Sequence, residues 1–99
     1  MNDYSKKVIK IISSIPKGKV MSYGEIGRIA GKANGAREVS RILHSCSEKY
    51  NLPWYRVVNS QGKISLTGVG GDIQKELLES EGVIFDKNGK IINIQNNDK

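Results

Sequence analysis

Apolar residues recur every three or four positions near the start of the chain. Val8, Ile9, Ile11, Ile12 and Ile15 keep a helical period after Asp3 and Ser5, and Pro16 with Gly18 ends it. A second helical pattern opens at Ser22-Tyr23-Gly24-Glu25. That spacing is a capping box, in which a hydroxyl and a carboxylate satisfy backbone donors left open at a helix start. Ile26, Ile29 and Ala30 supply the buried face, and Gly31 closes the helix. After Lys32-Ala33, Asn34 is expected to cap a third helix that runs to about Ser47. Two short helices joined by a glycine-containing turn outline a helix-turn-helix.

The third helix has the clearest division of faces. At about 100° per residue, Val39, Ile42, Leu43 and Cys46 fall on one side, and Arg37, Ser40, Arg41 and His44 on the other. Glu38 sits off the centre of the polar stripe, which holds two cations, a hydroxyl and an imidazole. Such a stripe is either an ordinary solvated helix face or a set of donors for a phosphate-lined groove.

Further on the period shortens. Residues 54–58 read as extended, Asn59-Ser60-Gln61-Gly62 as a turn, and Lys63-Ile64-Ser65 as a returning partner strand. Gly68, Gly70 and Gly71 make a flexible stretch, either a surface loop or a backbone approach to a ligand. It is no phosphate-binding loop, because Asp72-Ile73-Gln74 follows where Gly-Lys-Ser/Thr would be needed. Asp72 is expected to cap a last helix with Ile73, Leu77 and Leu78 facing inward, ending at Gly82. Val83-Ile84-Phe85, the turn Asp86-Lys87-Asn88-Gly89 and Ile91-Ile92-Asn93-Ile94 read as a terminal hairpin, a candidate wing. The pattern predicts a small, mainly helical α/β domain over residues 1–94, winged helix-turn-helix in type with short β-hairpins, followed by a polar tail over residues 95–99.

Composition narrows the possible partners. At 99 residues the chain accommodates one modest core. Sixteen Lys and Arg against ten Asp and Glu give a net charge of +6. That excess favours polyanions through counterion release, without choosing among DNA, RNA, anionic membrane or an acidic protein, and it equally suits a basic protein with no polyanion partner. No positively charged start leads into an apolar run and no stretch is long enough to span a bilayer, so the expectation is a protein neither secreted nor embedded. One cysteine excludes an internal disulfide and suits a reducing, cytoplasmic setting, nucleoid-associated in a prokaryote.

Candidate chemistry is sparse. Cys46 shares the apolar stripe with Val39 and Leu43, which suits a buried structural thiol better than a nucleophile. His44, the lone histidine, has no Cys or His at ligand spacing, so neither a metal nor another cofactor is expected. Pro53-Trp54-Tyr55-Arg56-Val57-Val58 carries an aromatic pair and a cation. A neutral indole stacks and binds but has no lone pair able to displace an alkyl group, as a thiolate does.

The chain resembles the DNA-binding domain of O6-alkylguanine-DNA alkyltransferases, and more closely the alkyltransferase-like group that lacks the acceptor cysteine. Val20-Met21-Ser22-Tyr23-Gly24-Glu25-Ile26 is similar to the start of the family's first helix-turn-helix helix, and Gly35-Ala36-Arg37-Glu38-Val39 to its recognition helix. The segment 53–58 is similar to the active-site stretch, with Trp54 in place of the acceptor. The resemblance implies that the recognition helix sits in the minor groove of double-stranded DNA. It also implies that Arg37 fills the gap left by a rotated nucleotide and that Tyr23 crowds the adjacent phosphate. Ser22, Tyr23, Lys32, Arg37, Ser40 and Arg41 are the DNA contacts expected on that basis, and Tyr23, Trp54, Tyr55, Val57 and Val58 the lesion pocket. Some positions depart from the family. Tyr55 replaces a relay histidine, Glu81 matches the glutamate at the far end of that relay, the family's hinge asparagine aligns near Cys46, and Leu66-Thr67 stand where some relatives have arginine. No counterpart of the separate amino-terminal domain of full transferases is expected. Arg56 is expected to be structural, tying its segment to a carboxylate.

The physical terms suit such a role. Rotating a base out of a duplex costs a few kcal/mol, less where alkylation has weakened its pairing. A guanidinium in the vacated stack recovers part of that cost, and base–aromatic stacking contributes ~1–3 kcal/mol. The expectation is a non-enzymatic, monomeric sensor that flips O6-alkylguanine and passes the complex to nucleotide excision repair. The rivals are an alkyltransferase using Cys46 or a glycosylase, and a winged-helix transcription regulator.

Overall fold

A computed structural model describes residues 2–93. Helix α1 spans Asp3–Ser13, and its cap is Asn2, whose side chain accepts from the Ser5 amide at 2.8 Å. Val8 and Ile12 are buried along it, with Ile15 just beyond its end. Strand β1 (Met21–Ser22) leads directly into α2 (Tyr23–Ala30). The Ser22 hydroxyl accepts from the Glu25 amide at 3.1 Å, so the hydroxyl half of the capping box is formed. Gly31, at φ 119°, ends the helix in the left-handed region.

The buried face of α2 is Ile26, Gly27 and Ala30, whereas Ile29 is 56% exposed. The helix is rotated away from the expected face because the start of α3 packs on Gly27, where a Cβ would lie 3.0 Å from the Gly35 carbonyl carbon. Helix α3 spans Ala36–Cys46 and is capped at Gly35, not at Asn34. The turn tightens through Gly35 N–H to Lys32 C=O at 3.2 Å, which moves the helix start one residue on. Val39, Ile42 and Leu43 are buried, Cys46 packs against them partly buried, and Arg37, Ser40, Arg41 and His44 are exposed, as the stripe predicted.

Residues 54–58 are not one extended run. Trp54–Arg56 form a 3-10 turn after Pro53, and only Val57–Val58 are strand, β2. Strand β2 pairs in parallel with β1, Met21 opposite Val57 and Ser22 opposite Val58. The partner is not 63–65: Val57 and Val58 are both buried, and the parallel pair with β1 is covered on its two faces by separate hydrophobic clusters. Adjacent strand residues point to opposite sides. Val57 accordingly joins the α1–α2–α3 core with Val8, Ile12, Ile26 and Val39, and Val58 joins a second core with Leu78, Val83 and Ile91. The turn after β2 is as read: Gly62 N–H meets Asn59 C=O at 3.0 Å, and the Asn59 side chain accepts from Gln61 and Lys63 amides.

The glycine run is helix rather than loop. Helix α4 spans Gly68–Ser80 and begins after Thr67, so Asp72 lies inside it and does not cap it. Gly71 is required there, because a Cβ would stand 2.5 Å from the Leu66 carbonyl oxygen as the preceding strap folds over the helix. Leu78 is buried, but Ile73 is 44% exposed and Gln74 takes the inward place at 2% exposure. The Gln74 amide donates to the carbonyls of Tyr55 and Val57, both at 3.0 Å, which sets the rotation of α4. Past Gly82 the chain forms the expected hairpin turn. Phe85 and Ile91 form an antiparallel bridge, and Asp86 N–H donates to Lys90 C=O at 2.8 Å. The Asp86 carboxylate accepts from the Lys90 and Asn88 amides and is held below the usual carboxylate range by them. Ile94 and the tail at 95–99 lie outside the described residues.

Candidate nucleic-acid interface

A cavity of about 210 Å³ opens where the start of α2, the end of α3, Trp54 and the strap before α4 meet. Tyr23, Ser40, Leu43, His44, Ser47, Trp54 and Leu66 line it. Its size is below the ~300–1,000 Å³ of sites for drug-sized ligands. The indole of Trp54 is partly buried against the three-helix core and meets Tyr55 edge-on, ring centres 5.8 Å apart at 90°. Stacking surface and polar edges therefore share one cavity.

The polar stripe of α3 runs into this opening. Arg37, Ser40, Arg41 and His44 lie at helical spacing on one face, and Ser40 and His44 are at the cavity itself. Seven residues at 1.5 Å each place Arg37 roughly 10 Å along the axis from His44. The stripe thus runs from a cation near its start to an aromatic cavity near its end. Ser22 is partly buried at the α2 cap. Lys32 is engaged on the turn between α2 and α3, with Nζ 2.9 Å from Glu38 Oε1 and 4.4 Å from the centre of the Tyr4 ring. Both side chains of that pair are substantially exposed, at 50% and 35%, so the pair contributes at most about 1 kcal/mol and yields readily to a phosphate.

The remaining residues expected in the pocket face elsewhere. Successive side chains in a 3-10 turn point about 120° apart, so Trp54, Tyr55 and Arg56 diverge. Tyr55 turns to the second core and donates its hydroxyl to Glu81 Oε2 at 3.2 Å. The side chains of Val57 and Val58 are in the two cores, at 1% and 2% exposure, and are absent from the cavity lining. Ser47 and Leu66 line the cavity although neither was expected there. Ser47 lies seven residues past Ser40 on the same helical face, a signal present in the sequence, and Leu66 belongs to the pair Leu66-Thr67 that departs from the family pattern. Cys46 packs on the core and does not line the cavity.

Beneath the 3-10 turn Arg56 is fully committed. Its Nη2 meets Glu81 Oε2 at 2.6 Å, Nε donates to Glu81 Oε1 at 3.1 Å, and Nη1 donates to the Ile15 carbonyl at 2.8 Å. Glu81 also accepts from the Gly18 amide at 2.9 Å. Hydrogen bonding by Arg56, opposed by burial and assisted by Gly18 and Tyr55, holds the Glu81 carboxyl below its ordinary range. The same hydrogen bond pushes the Arg56 guanidinium up. The 3-10 turn that carries Trp54 is thereby anchored through Arg56 to the segment just after α1 and to the end of α4. Among the described residues no group of three or more His, Cys, Asp or Glu could hold a metal, and no helix is long and apolar enough to cross a membrane.

Comparison with known proteins gives a consistent result. The family model for the DNA-binding domain of 6-O-methylguanine DNA methyltransferase matches residues 3–83. A protein of Vibrio parahaemolyticus named DNA base-flipping protein is 47% identical over 91 residues, covering 92% of this chain and 91% of that one. Alkyltransferase-like protein 1 of Schizosaccharomyces pombe is 40% identical, covering 84% of this chain and 79% of that one. The crystal structure of S. pombe Atl1 in complex with damaged DNA containing O6-carboxymethylguanine matches with a TM-score of 0.76 at 37% identity, covering 92% of this chain and 88% of that one.

Proposed function

This chain belongs to the family of 6-O-methylguanine DNA methyltransferase DNA-binding domains, and from that premise we propose that it recognises alkylated guanine in duplex DNA by flipping it beside Trp54 and holding it without transfer. The observation that carries the reading is the cavity itself, walled by an indole and free of any thiol. An extruded purine stacks on Trp54 for ~1–3 kcal/mol, and Arg37 occupies the space it leaves. Ser22, Tyr23, Ser40 and Arg41 fix the helix against phosphates, with Lys32 released from Glu38 to join them; these contacts are indifferent to sequence. Names of similar proteins, base-flipping and alkyltransferase-like, favour binding over transfer. Residues 1–94 act in this reading as one domain, a cytoplasmic monomer on double-stranded DNA whose occupied complex is passed to nucleotide excision repair.

The test has two readouts. Duplexes differing only in guanine or O6-methylguanine at one position are titrated by fluorescence anisotropy at fixed salt, and the intact masses of protein and oligonucleotide are taken afterwards. Tighter binding of the methylated duplex with both masses unchanged is expected. A 14-dalton gain on the protein would show transfer, released base would show a glycosylase, and equal affinities would remove the lesion pocket.

A further inference from the structure

We propose that His44 sorts lesions by the charge of the group they carry, so that a guanine with an anionic O6 substituent is held more tightly when the imidazole is protonated. This rests on the base-flipping reading above and deepens it. The cavity has two chemically different sides. Leu43, Trp54 and Leu66 offer apolar surface, while Ser40, His44 and Ser47, at i, i+4 and i+7, form a polar edge along the end of α3. A plain alkyl group needs only the apolar side. A carboxylate pressed there loses its hydration and needs a donor in return.

Among the described lining residues, His44 is the one side chain whose type gains positive charge between pH 5 and 8. Tyr23 from α2, Trp54 from the 3-10 turn and Leu66 from the strap bring no charge at neutral pH. Along α3 and its extension, Arg41 stands three residues before His44 and Glu48 four after, both exposed. No ion pair among the described residues ties the imidazole to Glu48 or to any other carboxylate. The ring is exposed at the cavity edge and shares the cavity lining with Trp54.

Three duplexes identical except for guanine, O6-methylguanine or O6-carboxymethylguanine at one position test this by fluorescence anisotropy at about pH 5.5 and about pH 8. The ratio of carboxymethyl to methyl affinity cancels the pH dependence of general DNA binding. That ratio is expected to be about fivefold higher at the lower pH, the scale of a part-exposed ion pair. It should become independent of pH in His44→Gln, and stay high at both values in His44→Arg. A ratio that does not move with pH in the unsubstituted protein, or moves equally in His44→Gln, overturns the role of His44 while leaving lesion binding intact. Equal binding of methylated and plain duplexes overturns the base-flipping reading, and His44 selection with it.

Discussion

Replacing Trp54 with alanine is expected to cut the preference for alkylated over plain duplex by roughly five- to a hundredfold, the loss of ~1–3 kcal/mol of base stacking. Weak general binding should survive, because the excess of positive charge favours phosphates whatever the base. Trp54 also packs against the three-helix core, so the alanine variant loses some stability as well as the stacking surface. Trp54→Phe separates the two effects, since it retains an aromatic face. If stacking is what matters, the phenylalanine variant keeps most of the preference and the alanine variant loses it. Anisotropy at one salt concentration, well below the melting temperature of each variant, reads the difference. Parallel loss of affinity for plain and alkylated DNA in the alanine variant would mean that the indole supports the fold and does not receive a base.

The second large effect concerns stability. Arg56 and Glu81 are 15% and 6% exposed at their side chains, and Arg56→Met leaves the carboxylate and the Ile15 carbonyl without their strongest partner. Breaking a shielded pair from one side costs about 3–5 kcal/mol. At roughly 4–8 °C per kcal/mol for a domain of this size, the melting temperature should fall by more than about 12 °C. The double change Arg56→Met with Glu81→Leu should recover part of the loss, because no charge is then stranded. The pair also dictates a pH dependence. The Glu81 carboxyl is held below its unfolded value, near 4.3 for glutamate, so the folded state gains stability from it above that pH. This gain disappears as the pH falls through the lowered folded value. Melting followed by circular dichroism from about pH 6 to about pH 3 should show that decline, and Glu81→Gln should lack this part of it.

These two sites also show what the amino-acid order made legible. The polar and apolar stripes of α3 were complete in the sequence because helical periodicity is local, and Arg37, Ser40, Arg41 and His44 all emerged on the exposed side. A structural role for Arg56 was also legible, although its carboxylate partner lies 25 residues away at Glu81 and was not identified. Misjudged features depend on contacts distant in sequence. β2 pairs with a segment 36 positions earlier, a partner that no local pattern names. Ile29 and Ile73 were assigned inward by spacing alone, but Gly35 against Gly27 and the Gln74 amide on the 3-10 turn rotate those helices otherwise. The glycine run looked like a loop because glycine is a poor helix former. It is helical nonetheless, and the Leu66 carbonyl, 2.5 Å from where a Cβ would stand, explains why position 71 within that helix is glycine.

The cavity was half legible for the same reason. Tyr23 and Trp54 came with the motifs, while Tyr55, Val57 and Val58 were carried along by adjacency in sequence. A 3-10 turn followed by a strand sends neighbouring side chains in different directions, so nearness along the chain did not become nearness in space. Ser47 and Leu66 arrive from the far end of α3 and from the strap, brought in by the fold.

Trp54 is the chain's single tryptophan, so its emission reports on the cavity without any label. Titrating the protein with a duplex carrying one O6-methylguanine, and with the same duplex carrying guanine, tests the central claim most directly. Stacking of the everted base on the indole predicts strong quenching that saturates at one protein per lesion with the methylated duplex and little change with the plain one. Identical emission changes with both duplexes, at concentrations where both are bound, would contradict it.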